Sequence, residues 1–344
     1  MKSYKLTGIE EFKLFETPKP EISGDDVLIE VKRVGICGSD VHYYSEGKIG
    51  SQIVDYPWTV GHEGSGVVVA VGSDVVNVKV GDRVAFDPAA PCGRCSQCLS
   101  GRPHTCFNLN FLGCPQQIEG CLSEYLSLPE TSCLPIPANM TFEEAALVEP
   151  LSIAVYAASL ASGLDGATAA VLGCGPIGLS MVRSLVVSGV KSIYATDKID
   201  ARLAAGSKSG AIWTGNPLTE DVVSGIRHEV AEGLDFVFEC CGQQEALDQA
   251  VQILKPGGEL SIVGIPETNR VSFDINLLRR KEIRIQNVRR QNDCMRKALN
   301  LIEQGDVTAD LMITHRFSFT KTPEAFDLVR NYRDGVIKAM ISFD

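Results

Sequence analysis

Over roughly its first 150 residues the chain alternates short apolar runs with Gly- and Pro-containing breaks. Asp26-Val27-Leu28-Ile29-Glu30-Val31, Gly66-Val67-Val68-Val69-Ala70-Val71 and Asp82-Arg83-Val84-Ala85-Phe86 each read as strands. Strands spaced that tightly, without long helices between them, predict a β-barrel-like domain with insertions. Near residue 153 the texture changes. Ala167 to Leu172 reads as a buried strand, and from Pro176 a helical stripe runs through Leu179, Val182, Leu185 and Val186. Ser192 to Thr196, Leu234 to Phe238, Glu259 to Val263 and Ile283 to Val288 are further strand candidates. Helical stretches such as Leu247, Ala250, Val251 and Leu254 sit between them. That alternation predicts an α/β domain built on a doubly wound parallel sheet. An amphipathic helix (Met295, Ala298, Leu299, Ile302) follows, then strands near Ile313 to Phe319 and Lys338 to Phe343 that return to the first domain. The expected division is therefore 1–153 with 291–344, and 154–290, with no internal repeat and no low-complexity linker.

At 344 residues, with 44% hydrophobic and 22% charged positions, the chain has enough apolar material for two packed domains. Its formal charge of −11 argues against nucleic acid or an anionic membrane as partner. No apolar segment follows Met1-Lys2-Ser3-Tyr4-Lys5-Leu6, and the longest apolar runs are far too short to span a bilayer. Twelve cysteines in that context point to a reducing compartment, the cytoplasm, where thiols bind metal or pack as small hydrophobes.

Four of those cysteines, Cys92, Cys95, Cys98 and Cys106, follow C-x2-C-x2-C-x7-C spacing. Four soft thiolates close tetrahedrally around one Zn²⁺ and leave no open coordination position, so such a site stiffens a loop and does no chemistry. The x7 interval matches neither common ferredoxin spacing, which sets an iron–sulfur reading aside.

Gly173-Cys174-Gly175-Pro176-Ile177-Gly178 follows a strand and opens a helix. Gly173 permits the tight turn, Gly175 lets a pyrophosphate reach the backbone, and Gly178 lets helix and strand pack closely. The helix N-terminus then faces the phosphates. Asp197 ends the next strand, 19 residues beyond Gly178 (197 − 178). A carboxylate there accepts the adenosine ribose hydroxyls and repels a 2′-phosphate, which favours NAD over NADP. Lys198 and Arg202 are nearby cations that keep NADP open, or are simply solvated charges. Cys241, in the vicinal pair Cys240-Cys241 before Gly242, ends a further strand, as do Val263 and Val288. All three join the cofactor-binding set, the cysteines as ordinary buried thiols.

A differently composed constellation lies upstream. Cys37 sits in Gly35-Ile36-Cys37-Gly38-Ser39-Asp40, and His62-Glu63 in Val60-Gly61-His62-Glu63-Gly64. Three protein ligands with one open position suit a catalytic zinc; one thiolate and one carboxylate cancel the ion's charge and leave it Lewis-acidic. Glu149, in Leu147-Val148-Glu149-Pro150-Leu151, is a carboxylate in apolar sequence. That placement is costly unless a cation or donor receives it. It could be a third or fourth ligand, or could hold a metal-bound water. Taken singly, Cys37 could be a core thiol, His62 a turn histidine and Glu149 a helix-end carboxylate.

Together these segments resemble the zinc-containing medium-chain alcohol dehydrogenases, and most closely their sorbitol (polyol) dehydrogenase branch. The resemblance covers essentially the whole chain. It rests on Gly35 to Tyr44, Gly61 to Gly66, Val80-Gly81-Asp82-Arg83-Val84, the four-cysteine loop, Glu149-Pro150-Leu151-Ser152 and the Gly173 to Gly178 turn. It implies a GroES-like catalytic domain interrupted by a Rossmann domain, with the active site in the cleft between them. It also implies two zincs per chain, NAD as cofactor, and a dimer or tetramer. Cys37 and His62 match the catalytic zinc ligands, with Glu63 or Glu149 completing the site. Ser39 and His42 match the proton relay, and Tyr43, Glu149 and Arg289 match positions lining a polyol pocket. All four loop thiols are kept, whereas some animal sorbitol dehydrogenases lack that zinc. Positions Asn110 to Gln117, including Cys114, fit no single known substrate.

The expected activity is hydride transfer from a secondary alcohol of a polyol to NAD, giving a ketose. A threonine- or sugar-phosphate-type zinc dehydrogenase is the alternative, with Arg279-Arg280-Lys281 and Arg289-Arg290 as candidate phosphate contacts or mere strand flanks. A non-catalytic NADPH-binding member of the superfamily would have no use for Cys37, Ser39, His62 and Glu149 together.

Overall fold

The computed structural model describes residues 1–266 and 268–344, which form two compact units, Met1–Glu149 with Met295–Asp344, and Pro150–Cys294. The helix Phe142–Leu160, 19 residues long with Pro150 inside it, spans the boundary. Among the described residues no helix is long and apolar enough to cross a membrane.

The first unit is built on a mainly antiparallel sheet. Its order is Cys133–Pro135, Arg83–Phe86, Glu63–Val71, Asp26–Gly35, Lys338–Ser342, Ile313–Ser318, and Tyr125–Pro129 also pairs with Asp26–Gly35. Alternation along Asp26–Gly35 buries Val27, Ile29 and Val31 against Leu126, Leu128 and Phe86. A bulge in the pairing with Glu63–Val71 falls between Val31 and Arg33. Past it the phase shifts, and Val34, Gly35 and Ile36 are buried in succession.

That shift prepares the strand end. Gly35 lies opposite Glu63 on one neighbouring strand and opposite Met340 on the other. Chain segments that are remote in sequence, Ile36-Cys37, His62-Glu63 and Lys338, are thereby delivered to one place by sheet register alone. A Cβ on residue 35 would stand 2.4 Å from Glu63 Oε2, so glycine is what leaves room for that carboxylate.

The second unit is a six-stranded parallel sheet, ordered Trp213–Gly215, Ser192–Thr196, Thr168–Leu172, Leu234–Glu239, Leu254–Ile262, Arg284–Asn287. Numbered along the chain this is 3-2-1-4-5-6, the doubly wound order. Its switch point lies between the strand that ends at Leu172 and the strand that ends at Glu239. Ala170, Leu172, Val237 and Leu260 form the sheet side of one core, with Leu247, Ala250 and Val251 from the helix Gln244–Ile253 packed on it. The edge strand Trp213–Gly215 has only three residues, too few to show a period, and is an addition to the strands expected from the sequence.

Gly178 carries a sharp expectation. A Cβ there would lie 1.7 Å from the carbonyl oxygen of Gly173. Gly178→Ala must therefore move backbone, and it is expected to lower stability by about 1–3 kcal/mol. An unchanged urea midpoint for this variant would show that helix and turn are not in contact.

Candidate metal and nucleotide sites

Cys37 ends the run from the central strand and stands at the N-terminus of the helix Gly38–Glu46. Its Sγ, a ring nitrogen of His62 and a carboxylate oxygen of Glu63 all lie within 4.8 Å of one another. Ser39 Oγ, in the first turn of that helix, donates to Cys37 Sγ at 3.3 Å. Asp40, only 1% exposed, ties the cluster together. Its Oδ1 accepts from Gly61 N at 3.0 Å and faces His62 Nδ1 at 3.2 Å, while its Oδ2 accepts from Cys37 N at 3.2 Å. His62 Nδ1 is turned to Asp40, so Nε2 is the ring nitrogen left for a metal.

Glu63 is answered from the far end of the chain. Lys338, as deeply buried as Glu63 itself, donates through Nζ to Glu63 Oε2 at 2.5 Å and to Ile36 O at 3.0 Å. Burial alone would discharge this lysine. The negative charges of Glu63, Cys37 and Glu149 outweigh that and raise its pKa. Glu149 lies inside the helix Phe142–Leu160 rather than at a helix end, and falls outside the 4.8 Å group of Cys37, His62 and Glu63. Burial, reinforced by Glu63 and Asp87 and opposed by His62 and Lys338, pushes its carboxyl up to about 7. For His62, burial favours the neutral ring, but Asp40 and Cys37 prevail and hold its pKa well above the usual value.

The fit to a dication follows from this charge inventory. Asp40, Glu63 and Glu149 are buried carboxylates and Cys37 a partly buried thiol, faced by Lys338 and by the His62 ring. A buried Cys-His-carboxylate donor set within 4.8 Å, with further carboxylates beside it, is what a zinc ion suits.

The second candidate is closed. Cys95 Sγ is 3.6 Å from Cys98 Sγ and 3.7 Å from Cys106 Sγ, and Cys106 Sγ is 3.4 Å from Cys92 Sγ. A tetrahedron with Zn–S bonds of 2.3 Å has edges of about 3.8 Å, so four thiolates here can surround one ion. Backbone N–H groups of Cys98 and Phe107 pull the Cys95 thiol down to about 6, and burial pushes Cys98 up to about 12.

In the second unit Gly173, at φ +98°, turns the chain out of the strand Thr168–Leu172, and Gly175 precedes the helix Pro176–Val187, which starts with Pro176-Ile177. Asp197 holds this turn directly: Oδ2 accepts from Cys174 N at 2.7 Å and Oδ1 from Ile199 N at 2.9 Å. Arg202 is no solvated charge. It is 8% exposed, and its guanidinium comes within 3.7 Å of where a Cβ on Gly175 would be. Lys198 is exposed and donates to Gln243 at 3.3 Å. A Cβ on Gly173 would meet Cys241 Cβ at 2.8 Å, so Cys241 borders the turn. Val263 N donates to Glu239 O at 2.8 Å and Val288 N to Ile262 O at 2.9 Å, which sets both at the carboxyl end of the parallel sheet.

Residues 23–138 match the family described as alcohol dehydrogenase GroES-like domain, and residues 176–304 the family described as zinc-binding dehydrogenase. Sorbitol dehydrogenase of Bacillus subtilis is 35% identical over 342 residues, 99% of this chain and 97% of that enzyme. The chain belongs to the zinc-binding dehydrogenases. Among solved structures, an Escherichia coli CFT073 short chain alcohol dehydrogenase complexed with NADH superposes with TM-score 0.92 at 30% identity, covering 100% of this chain and 99% of that one. Galactitol-1-phosphate dehydrogenase from Escherichia coli gives TM-score 0.91 at 28% identity, over 99% and 100% of the two chains.

The remaining expected residues of this zinc-binding dehydrogenase divide between the units. His42 and Tyr43 lie on the helix with Ser39, half-buried and buried respectively. Arg289 is exposed, beyond the edge strand Arg284–Asn287 of the second unit. Of the basic run Arg279-Arg280-Lys281, Lys281 is committed to the fold. Its Nζ donates to the carbonyls of Val251, Gln252 and Leu254 at 2.8, 2.8 and 2.6 Å, satisfying the end of the helix Gln244–Ile253. Sequence reasoning missed Asp40 and Lys338. Asp40 was legible as an acidic residue three positions after Cys37, as in a capping box; nothing local marks Lys338.

Removing Lys338 would strand a buried carboxylate. Lys338→Met is expected to destabilise the first unit by about 3–5 kcal/mol in metal-free protein. Added zinc, a competing cation for Glu63, is expected to recover part of that loss in a thermal melt. Equal melting temperatures for the metal-free variant and wild type would contradict a structural role for the pair.

Proposed function

We propose that this enzyme oxidises a secondary alcohol of a polyol to a ketose with NAD as hydride acceptor. The observation that carries the reading is the convergence of Cys37, His62 and Glu63 within 4.8 Å, with a hydroxyl, Ser39 Oγ, against the thiol. Cys37 and His62 would hold zinc, with Glu63 or Glu149 as the carboxylate. Bound there, the ion supplies Lewis acidity toward the substrate hydroxyl. Ser39 Oγ takes the proton of that hydroxyl and His42 passes it on, while the carbinol hydrogen leaves with its electron pair for the nicotinamide. Tyr43 and Glu149 are the polyol contacts of the first unit, and Arg289 is a candidate on the second. The engagement of Glu63 Oε2 by Lys338 leaves Oε1 as that residue's metal-facing atom and favours a supporting part for Glu149.

NAD would bind over Gly173, Gly175, Pro176, Ile177 and Gly178. Asp197 supports NAD over NADP, although its oxygens also hold the turn and Arg202 lies close enough to Gly175 to meet a phosphate. Lys198, Cys241, Val263 and Val288 complete the cofactor set. The name of the Bacillus subtilis relative supports a polyol substrate. The sugar-phosphate alternative has a 28% identical neighbour in its favour, but Lys281 is unavailable to a phosphate. The four-cysteine loop would carry a second, structural zinc. A homo-oligomer, dimer or tetramer, in the cytoplasm is part of the proposal; the sheet edge Arg284–Asn287, with Ile285 38% exposed, is a surface that a second copy could cover.

Metal analysis of purified protein is expected to give about two zincs per chain, and Cys95→Ser about one, with a lower melting temperature and the Cys37–His62 site still able to load. A fully active preparation with a single metal site would refute the two-site claim. A polyol panel read by NADH absorbance tests the activity itself. Cys37→Ser or His62→Ala is expected to abolish turnover and leave NAD affinity within about twofold, since the glycine turn belongs to the other unit. Turnover that survives complete zinc removal would overturn the reading.

A further inference from the structure

Gln52 and Cys114, which hold the hydroxyl end of Tyr43, are used by nothing described so far. Tyr43 follows Ser39 by four residues on the helix Gly38–Glu46, so the two share a face about 6 Å apart along its axis. Tyr43 is 5% exposed, and its hydroxyl donates to Gln52 Oε1 at 3.2 Å. Gln52 lies in the short strand Gln52–Ile53, paired with Lys48–Ile49 just beyond that helix. Its Nε2 donates to Cys114 Sγ at 2.8 Å, and that sulfur is also 3.8 Å from the Tyr43 hydroxyl.

Cys114 is itself fixed. It is 2% exposed, its N–H donates to Phe111 O at 3.2 Å, and the indole of Trp58 donates to the neighbouring Gly113 O at 3.2 Å. The Phe111 ring in turn sits 5.4 Å from the His62 ring. The cluster therefore abuts the metal-ligand candidates from two directions, through Ser39 on the helix and through Phe111 on the turn.

From this geometry we infer that Gln52 is a specificity-determining residue: anchored by Cys114, it positions the Tyr43 hydroxyl to accept from a second hydroxyl of the substrate. The inference rests on the polyol reading above. The thiol receives the NH₂ end of the Gln52 amide, so the carbonyl end is turned to Tyr43. With its own hydrogen committed to Gln52, Tyr43 Oη can only accept. An acceptor fixed in that sense suits a hydroxyl on a carbon near the one being oxidised, and it offers nothing to a simple secondary alcohol. A site built to hydrogen-bond a hydroxyl discriminates against analogues lacking it, because its polar groups are then left unpaired.

The experiment compares Gln52→Leu with wild type on a polyol panel (sorbitol, xylitol, galactitol) and on 2-butanol, with KM and kcat separated and the KM for NAD measured alongside. The expected result is a KM for the preferred polyol raised roughly tenfold, the equivalent of about 1.4 kcal/mol and of one hydrogen bond, with kcat nearly unchanged. For 2-butanol, kcat/KM should stay within about twofold, as should the KM for NAD. Gln52→Glu keeps an acceptor for the Tyr43 hydroxyl and should restore most of the polyol KM. Should Gln52→Leu fold poorly, Cys114→Ala releases only the far end of the amide and should show the same split, smaller in size. Equal losses on polyol and monoalcohol, or no loss on either, would overturn the inference. A wild-type enzyme that oxidises 2-butanol but none of the polyols overturns the polyol reading as well, and that result is visible before any variant is made.

Discussion

Buried negative charge governs the first unit. Asp40, Glu63 and Glu149 are removed from water close to Cys37 and His62, and each would be untenable there without a cation or a donor. The fold supplies partners unequally. Asp40 is satisfied by two backbone N–H groups and an imidazole, and Glu63 by Lys338. For Glu149, burial and the charges of Glu63 and Asp87, opposed by His62 and Lys338, push the carboxyl up to about 7. The arrangement gathers carboxylates, an imidazole and an ammonium group into one buried cluster. It explains why bulged strand, close-packed glycine and buried lysine all meet at one point of the sheet.

The second unit solves a different problem with backbone rather than side chains. Its parallel strands end together, and the reversal of strand order opens a crevice between Leu172 and Glu239. The glycine turn lies on one side of that reversal. On the other, Glu239 Oε1 accepts from Cys241 N at 2.7 Å and Gly242 N at 2.6 Å, fixing the opposite loop. Asp197 serves its own loop in the same way. Carboxylates that orient peptide groups thus frame the carboxyl end of the parallel sheet, where in the first unit they gather against His62 and Lys338.

Much of this was legible from residue types and spacing, because the chemistry tolerates few substitutes. Four thiols at metal spacing, a glycine turn between strand and helix, and Cys37 with His62 read directly, as did the change from β-rich to alternating texture. What escaped depended on register between distant segments. Lys338 looks like any lysine at a strand start, and only its place beside Ile36 reveals a buried counterion. Arg202 read equally well as a surface charge until the helix Asp200–Ser209 turned it inward. Taken singly Glu149 could be a helix-end carboxylate, yet the helix continues to Leu160. Gln52 carries no sequence signal at all; its partners are nine and sixty-two residues away.

The sheet register has a consequence for how the molecule is made. Gly35 meets Glu63 across a segment of 28 residues (63 − 35), but meets Met340 across 305 (340 − 35). Closing the longer loop costs roughly 2 kcal/mol more in chain entropy, so the ion pair of Glu63 with Lys338 depends on the costlier of the two closures. A chain cut short before residue 338 would keep the pairing of Gly35 with Glu63 and lose the counterion, so the carboxyl-terminal strand belongs to this cluster as much as the segments that carry Cys37 and His62.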